Sequence, residues 1–142
     1  MNAAELFSSF GATSFKLPGQ LDASTPSDFA RGFHDLFSCT EAKDAISVVY
    51  VWVTRNPIPR LRDSSDVVYI GNTTQSLQQR HARFAEVESG AGNWERYEHI
   101  MKTFGPITVN FIRSDDPREA EKRLLDLYFD AHLEMPPLNR AH

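Results

Sequence analysis

The stretch Val67-Val68-Tyr69-Ile70-Gly71-Asn72-Thr73-Thr74-Gln75-Ser76-Leu77-Gln78-Gln79-Arg80 reads as strand, turn and helix, and the rest of the chain can be placed around it. Val67, Val68, Tyr69 and Ile70 are β-branched or aromatic, which suits a pleated, half-buried surface. Gly71 allows the backbone a turn that few other residues tolerate. Ser76 and Gln79 make an S-x-x-Q capping box, so a helix begins near Ser76. At about 100° per residue, Arg80 falls between Phe84 and Val87 on the apolar side of that helix. A guanidinium placed there needs either a route by which its head reaches water or a partner.

Upstream, Ile46-Ser47-Val48-Val49-Tyr50-Val51-Trp52-Val53-Thr54 puts Ile46, Val48, Tyr50 and Trp52 on one face and Ser47, Val49, Val51 and Val53 on the other. Both faces are largely apolar, the pattern of a central strand. The following run, Asn56-Pro57-Ile58-Pro59-Arg60-Leu61-Arg62-Asp63-Ser64-Ser65, holds two prolines and cannot continue a central strand. It reads as a long hairpin loop, with Arg60 and Arg62 on it and Arg55 at its base.

The pair Val48-Val49-Tyr50 and Val67-Val68-Tyr69-Ile70-Gly71, followed by Thr73 and Arg80, resembles the GIY-YIG nuclease family over roughly residues 46–139. Tyr50 and Tyr69 match its two signature tyrosines and Arg80 its helical arginine. The resemblance departs at three points. No glycine leads the first motif, the loop between the motifs is longer than usual, and Phe84 stands where many members carry a histidine. His81 follows Arg80 directly and points about 100° away on a helix, which makes it a poor substitute for that histidine.

A length of 142 residues suits one domain, able to bury roughly 68–70% of its unfolded surface. A hydrophobic content of 41% and a charged content of 24% are ordinary for a soluble protein. No apolar run approaches the roughly 20 residues of a membrane helix, and the N-terminus lacks the pattern of a signal peptide. The expectation is a cytoplasmic protein without a membrane partner. Cys39 is the lone cysteine, so neither an internal disulfide nor a zinc ribbon is expected, and a small buried hydrophobe is its simplest role. The net charge of −4 argues against a general nucleic-acid coat protein. The charge is uneven, at −3 for residues 1–45, +2 for 46–114 and −3 for 115–142, and the middle third carries the tyrosine strands.

Residues 1–25 show no sustained period and suggest one short helix near residues 3–10. Thr25-Pro26-Ser27-Asp28 starts a helix of about residues 26–38, with Phe29, Phe33, Leu36 and Phe37 on one face as core padding. After the Arg80 helix, Ser89-Gly90-Ala91-Gly92 breaks the chain. Asn93 can cap a helix from Trp94 to about Thr103, which Gly105-Pro106 stops. Ile107, Val109 and Phe111 alternate as a third strand. Asp116-Pro117-Arg118-Glu119 opens a last helix running to about His132, and Pro136-Pro137 ends regular structure. The reading is an α+β domain with a small, mostly antiparallel three-stranded sheet flanked by helices. An N-terminal helical extension, residues 1–45, packs on a core domain, residues 46–142.

On the last helix Glu121 belongs to the apolar side with Ala120, Leu124, Leu125, Leu127, Tyr128 and Ala131. An unpaired carboxylate there costs several kcal/mol or takes up a proton unless an arginine or a metal ion meets it. By pattern alone a buried salt bridge and a metal ligand both remain open. Glu119 is accounted for by its place in the helix cap, and His132 by a structural role.

The resemblance implies more. Glu121-Lys122-Arg123-Leu124-Leu125 fits the stretch whose glutamate binds one divalent cation, Mg²⁺ or Mn²⁺. Pro136-Pro137-Leu138-Asn139 supplies the asparagine that helps arrange the site. Tyr50 becomes the candidate base, Tyr69 orients water or phosphate, and Arg80 adds a fixed charged fork to the phosphate. The implied activity is metal-dependent hydrolysis of DNA phosphodiester bonds, with RNA as the alternative substrate. Arg55, Arg60, Arg62 and Arg80 are the candidate phosphate contacts. With no zinc finger, helix-turn-helix or basic tail beside the core, recognition falls to residues 1–45, the arginine loop, a second protomer or a partner protein. A non-catalytic binding module on the same fold is the competing expectation. Buried, paired tyrosine hydroxyls and a surface Asn139 are the bland readings of those residues.

Overall fold

The structure is a computed structural model that describes residues 1–82, 84, 90 and 93–139. The elements run α1 (Ala3–Ser8), β1 (Phe15–Lys16), α2 (Pro26–Phe37), α3 (Thr40–Asp44), β2 (Ile46–Pro59), β3 (Ser64–Ser76), α4 (Leu77–His81), α5 (Asn93–Phe104), β4 (Ile107–Arg113) and α6 (Pro117–His132). The fold is α+β, with an antiparallel sheet in the order β1-β4-β2-β3.

The sheet has four strands rather than the expected three. The additional one pairs Phe15 with Phe111 and Lys16 with Asn110. Two residues are too few to show an alternating pattern, so only the partner strand reveals it.

The helix starts follow local chemistry. Thr25 Oγ1 accepts from Asp28 N at the head of α2, and Pro26 occupies the first turn, where its missing N–H has no role to lose. Asp116 Oδ1 accepts from Glu119 N at the head of α6. Ser76 and Gln79 make the reciprocal box at the head of α4. At the end of α5, Gly105 takes φ +95°, a left-handed turn that other residues adopt at a cost.

β2 is central, between β3 and β4, as its two apolar faces require. Val48, Tyr50 and Trp52 join an aromatic core with Phe29, Phe33 and Tyr97 of α2 and α5. Val49, Val51 and Val53 join an aliphatic core with Leu6 and Phe7 of α1 and Leu124 and Tyr128 of α6. One helical layer therefore covers each face.

The run after Thr54 corrects the expectation of a long loop. β2 continues through both prolines to Pro59, and the turn shrinks to residues 60–63, closed by Arg60 N donating to Asp63 O at 2.9 Å. The reason is sheet topology. β4 pairs with β2 only from Val48 to Thr54. Beyond that point β2 has β3 on one side alone, and a proline facing the open edge has no ladder partner to lose.

Candidate active site

Tyr50 on β2 lies directly opposite Gly71 on β3. A Cβ added at Gly71 would come within 2.5 Å of both Cζ and Oη of Tyr50. Gly71 lies inside the strand, without a left-handed backbone, so its expected turn is replaced by another necessity. Only a residue without a side chain lets the phenol of Tyr50 lie against the neighbouring strand.

That phenol is fully buried, and its hydroxyl makes no hydrogen bond of good geometry among the described residues, although the Tyr69 side chain is near enough to act on its titration as a hydrogen-bonding neighbour. Burial pushes its pKa above the ordinary phenol range. Tyr69 adds to the rise, Arg80 opposes it and Glu121 raises it further. One hydroxyl thus feels groups from β3, α4 and α6, three of them singled out in the sequence. Tyr69 is half-buried, its ring centroid 6.2 Å from that of Tyr50 and 4.8 Å from that of Trp52. Arg80 is half-buried with its guanidinium carbon 4.6 Å from the centre of the Phe84 ring. Val87, its other expected neighbour, lies outside the described residues.

His81 is the residue that its position on the helix made a poor substitute for the family histidine. It is 3% exposed, stacked on Phe37 with centroids 3.8 Å apart and set edge-on to Tyr50 at 5.0 Å. Its Nδ1 is 2.8 Å from the Leu77 carbonyl. A carbonyl only accepts, so Nδ1 carries the hydrogen and Nε2 the lone pair. Nε2 is buried without a partner among the described residues. Burial pushes the imidazole pKa down to about 3, so it is neutral at pH 7. A helical wheel misses this because α4 lies against both α2 and the sheet, so more than one of its faces is buried.

Glu121 of α6 is half-buried and accepts a short hydrogen bond on Oε2 from the Asn72 side-chain amide. No basic side chain forms an ion pair with it among the described residues. It lines a surface cleft of about 640 Å³ along α6 with Arg118, Lys122, Asp126 and Phe129, among others.

Asn139 forms a two-point clamp, its Oδ1 accepting from Ile70 N and its Nδ2 donating to Ile70 O, both at 2.9 Å. Ile70 stands between Tyr69 and Gly71, so this clamp fixes the backbone that carries the site. Comparison with family models, curated proteins and solved structures finds no match.

The remaining arginines behave differently. Arg62 donates from Nε to Ala131 O at 2.9 Å and from Nη2 to Asp130 O, and Arg60 Nη2 donates to Met135 O at 2.7 Å. Arg60 Nε also lies 3.1 Å from Glu134 Oε1. These guanidinium groups satisfy carbonyls at and beyond the last turn of α6, where a helix has no donors of its own. These bonds engage part of each guanidinium, and Arg62 stays exposed. Arg55 is exposed.

Among the described residues no three His, Cys, Asp or Glu side chains gather as a cation site. The donor set on offer is one carboxylate, half-buried and bordering an open cleft. That fits a small hard cation such as Mg²⁺, which keeps several waters and takes one or two carboxylates. Among the described residues, no helix is long and apolar enough to cross a membrane.

Proposed function

We propose that this protein is a divalent-metal-dependent endonuclease of the GIY-YIG type that hydrolyses phosphodiester bonds in DNA. The observation that carries the reading is the placement of Tyr50 directly opposite Gly71, with the Tyr69 ring 6.2 Å away and Glu121 bonded to Asn72, the residue after Gly71, while Arg80 lies near enough to oppose the rise in the Tyr50 pKa. Tyr50, Tyr69, Arg80 and Glu121 sit on four separate elements and were singled out in advance by their motif. Such a constellation contains the residue types that phosphodiester cleavage needs.

Arg80 presents a permanently charged planar fork to a phosphate. Glu121 would hold the Mg²⁺ or Mn²⁺, which when bound supplies positive charge against the phosphoryl oxygens and the leaving oxyanion. Tyr50 works as a neutral phenol, because burial holds its proton in place at pH 7. It therefore acts by hydrogen bonding or by proton relay. Tyr69 orients water or phosphate at the more exposed side, and Asn139 is a positioning residue for the Tyr69–Gly71 backbone.

The test is nicking of supercoiled plasmid in Mg²⁺ or Mn²⁺. Cutting that stops with EDTA and in Glu121→Gln or Arg80→Ala, with folding unchanged, is the expected result. Labelled RNA run in parallel distinguishes the polymers. A second reading, a nucleic-acid- or protein-binding module without catalysis, is favoured by one observation, the complete burial of Tyr50. Binding without cutting across all metals would establish it and overturn the nuclease.

A further inference from the structure

Asn72 follows the glycine of the second tyrosine strand, and no motif in the sequence gives it a role. In the structure it pairs across the sheet with Val49, which belongs to the aliphatic core, so its side chain leaves β3 on the α6 side. There its amide donates to Oε2 of Glu121. A carboxylate oxygen accepts, and the NH₂ end of Asn72 is the end that meets it. Both residues are half-buried, where a hydrogen bond to a charged group is worth more than in open water.

We propose that Asn72 sets the cation preference of the site by occupying one Glu121 oxygen and leaving the other as the single ligand atom. This rests on Glu121 being a cation ligand, as the nuclease reading holds. A carboxylate with one oxygen engaged in this way favours a small cation satisfied by one oxygen and several waters. It disfavours a larger ion such as Ca²⁺, which takes six to eight oxygens and readily accepts both from one carboxylate. An asparagine is suited to the task because it is neutral. An aspartate at 72 would set two negative charges side by side, and a lysine would neutralise the carboxylate that must meet the ion.

Asn72 touches the ligand rather than the ion, so it is a positioning residue. Its test therefore reads binding rather than turnover. The wild-type chain is titrated with Mn²⁺ alone, followed by electron paramagnetic resonance, and the bound Mn²⁺ is then displaced with Ca²⁺. The same titrations are run on Glu121→Gln, Asn72→Leu and Asn72→Ser. Leucine keeps much of the volume and serine little of it, so at least one variant is expected to unfold at the wild-type temperature.

Loss of an outer contact of this kind weakens metal binding by about 10- to 100-fold. Both Asn72 variants should therefore bind Mn²⁺ about 10-fold more weakly or worse, while Ca²⁺ affinity changes little. The Mn²⁺-over-Ca²⁺ preference then falls by a similar factor. If Glu121→Gln abolishes Mn²⁺ binding but the Asn72 variants keep the wild-type preference, the Asn72 inference is overturned and the nuclease reading survives. If Glu121→Gln binds Mn²⁺ as well as the wild type does, or the wild type binds none, the cation site and this inference fail together.

Discussion

The two ends of the β2–β3 ribbon carry similar side chains and treat them in opposite ways. At the hairpin end, Arg60 and Arg62 reach the carbonyls of Asp130, Ala131 and Met135, and His132 Nδ1 meets the Arg62 carbonyl at 2.9 Å. At the other end, Tyr50 and His81 each bury a polar atom with no hydrogen bond of good geometry among the described residues, and Glu121 takes a neutral amide in place of a cation. A buried polar atom without a partner is unfavourable by about 1–3 kcal/mol. Unpartnered buried polar atoms occur at both ends, since Arg60 Nε and Tyr128 Oη also lack a hydrogen-bond partner among the described residues. The ends differ in their carboxylates: Glu134 at the hairpin end lies 3.1 Å from Arg60 Nε, whereas Glu121 meets only the Asn72 amide.

Substitutions can test that contrast. The largest expected effect is at Tyr50. Replacing Tyr50 with Phe keeps the ring against Gly71 and removes only the hydroxyl, so nicking should fall by about 10²–10⁴-fold. Thermal unfolding should be unchanged or slightly improved, because an unpartnered buried oxygen is lost. A variant that is less stable yet fully active would place the hydroxyl in the structural class.

Gly71→Ala comes next. The added methyl enters the space of the Tyr50 ring, and forced overpacking of this sort typically destabilises by about 1–3 kcal/mol. Denaturant unfolding measures this. The double variant Gly71→Ala, Tyr50→Leu should recover part of the loss. A Gly71→Ala variant as stable as wild type would show that the close approach is not needed.

His81 gives a pH signature. Its pKa is about 3 in the folded chain and near 6.5 when unfolded. Between those values the unfolded chain binds a proton that the folded chain does not, so stability rises with pH. The contribution is complete above about pH 6.5 and is lost on acidification, by up to about 1.4 kcal/mol per pH unit for this one group. His81→Phe should flatten the curve between pH 6 and 4 relative to wild type. Asp66 shifts upward on burial and gives the opposite slope, but it is present in both proteins and cancels in the difference. Equal slopes would mean that His81 is wetter than the structure has it.

The smallest effect belongs to the hairpin. Arg62→Ala should lower stability by about 1 kcal/mol or less, the scale of an exposed charge at a helix C-terminus. It should leave the salt dependence of DNA affinity unchanged. A shallower salt slope would return Arg62 to the phosphate contacts expected from sequence.

What the sequence made legible follows from distance along the chain. Caps at Thr25, Ser76 and Asp116, and the alternation in Ile46–Thr54 and Ile107–Ile112, depend on neighbours within a few residues, and the elements begin where those signals put them, although β2 runs on past Thr54 to Pro59. The motif residues Tyr50, Tyr69, Arg80 and Glu121 could be named because their spacing resembles a family. What escaped depends on partners far away in sequence. Gly71 is explained by a cross-strand phenol, Arg62 by carbonyls some 70 residues on, β1 by its pairing with β4, and Asn72 by a carboxylate on the last helix. His81 escaped because a helix wheel assumes one buried face, and α4 has more.

The central claim is that Arg80 and Glu121 act in one site, and a double-substitution cycle of single-turnover plasmid nicking tests it most directly. Residues that act as a unit are strongly non-additive. Arg80→Ala and Glu121→Gln should each remove most of the activity, and the double variant should lose little more than either alone. Losses that multiply, or cutting that survives both substitutions, would contradict the account.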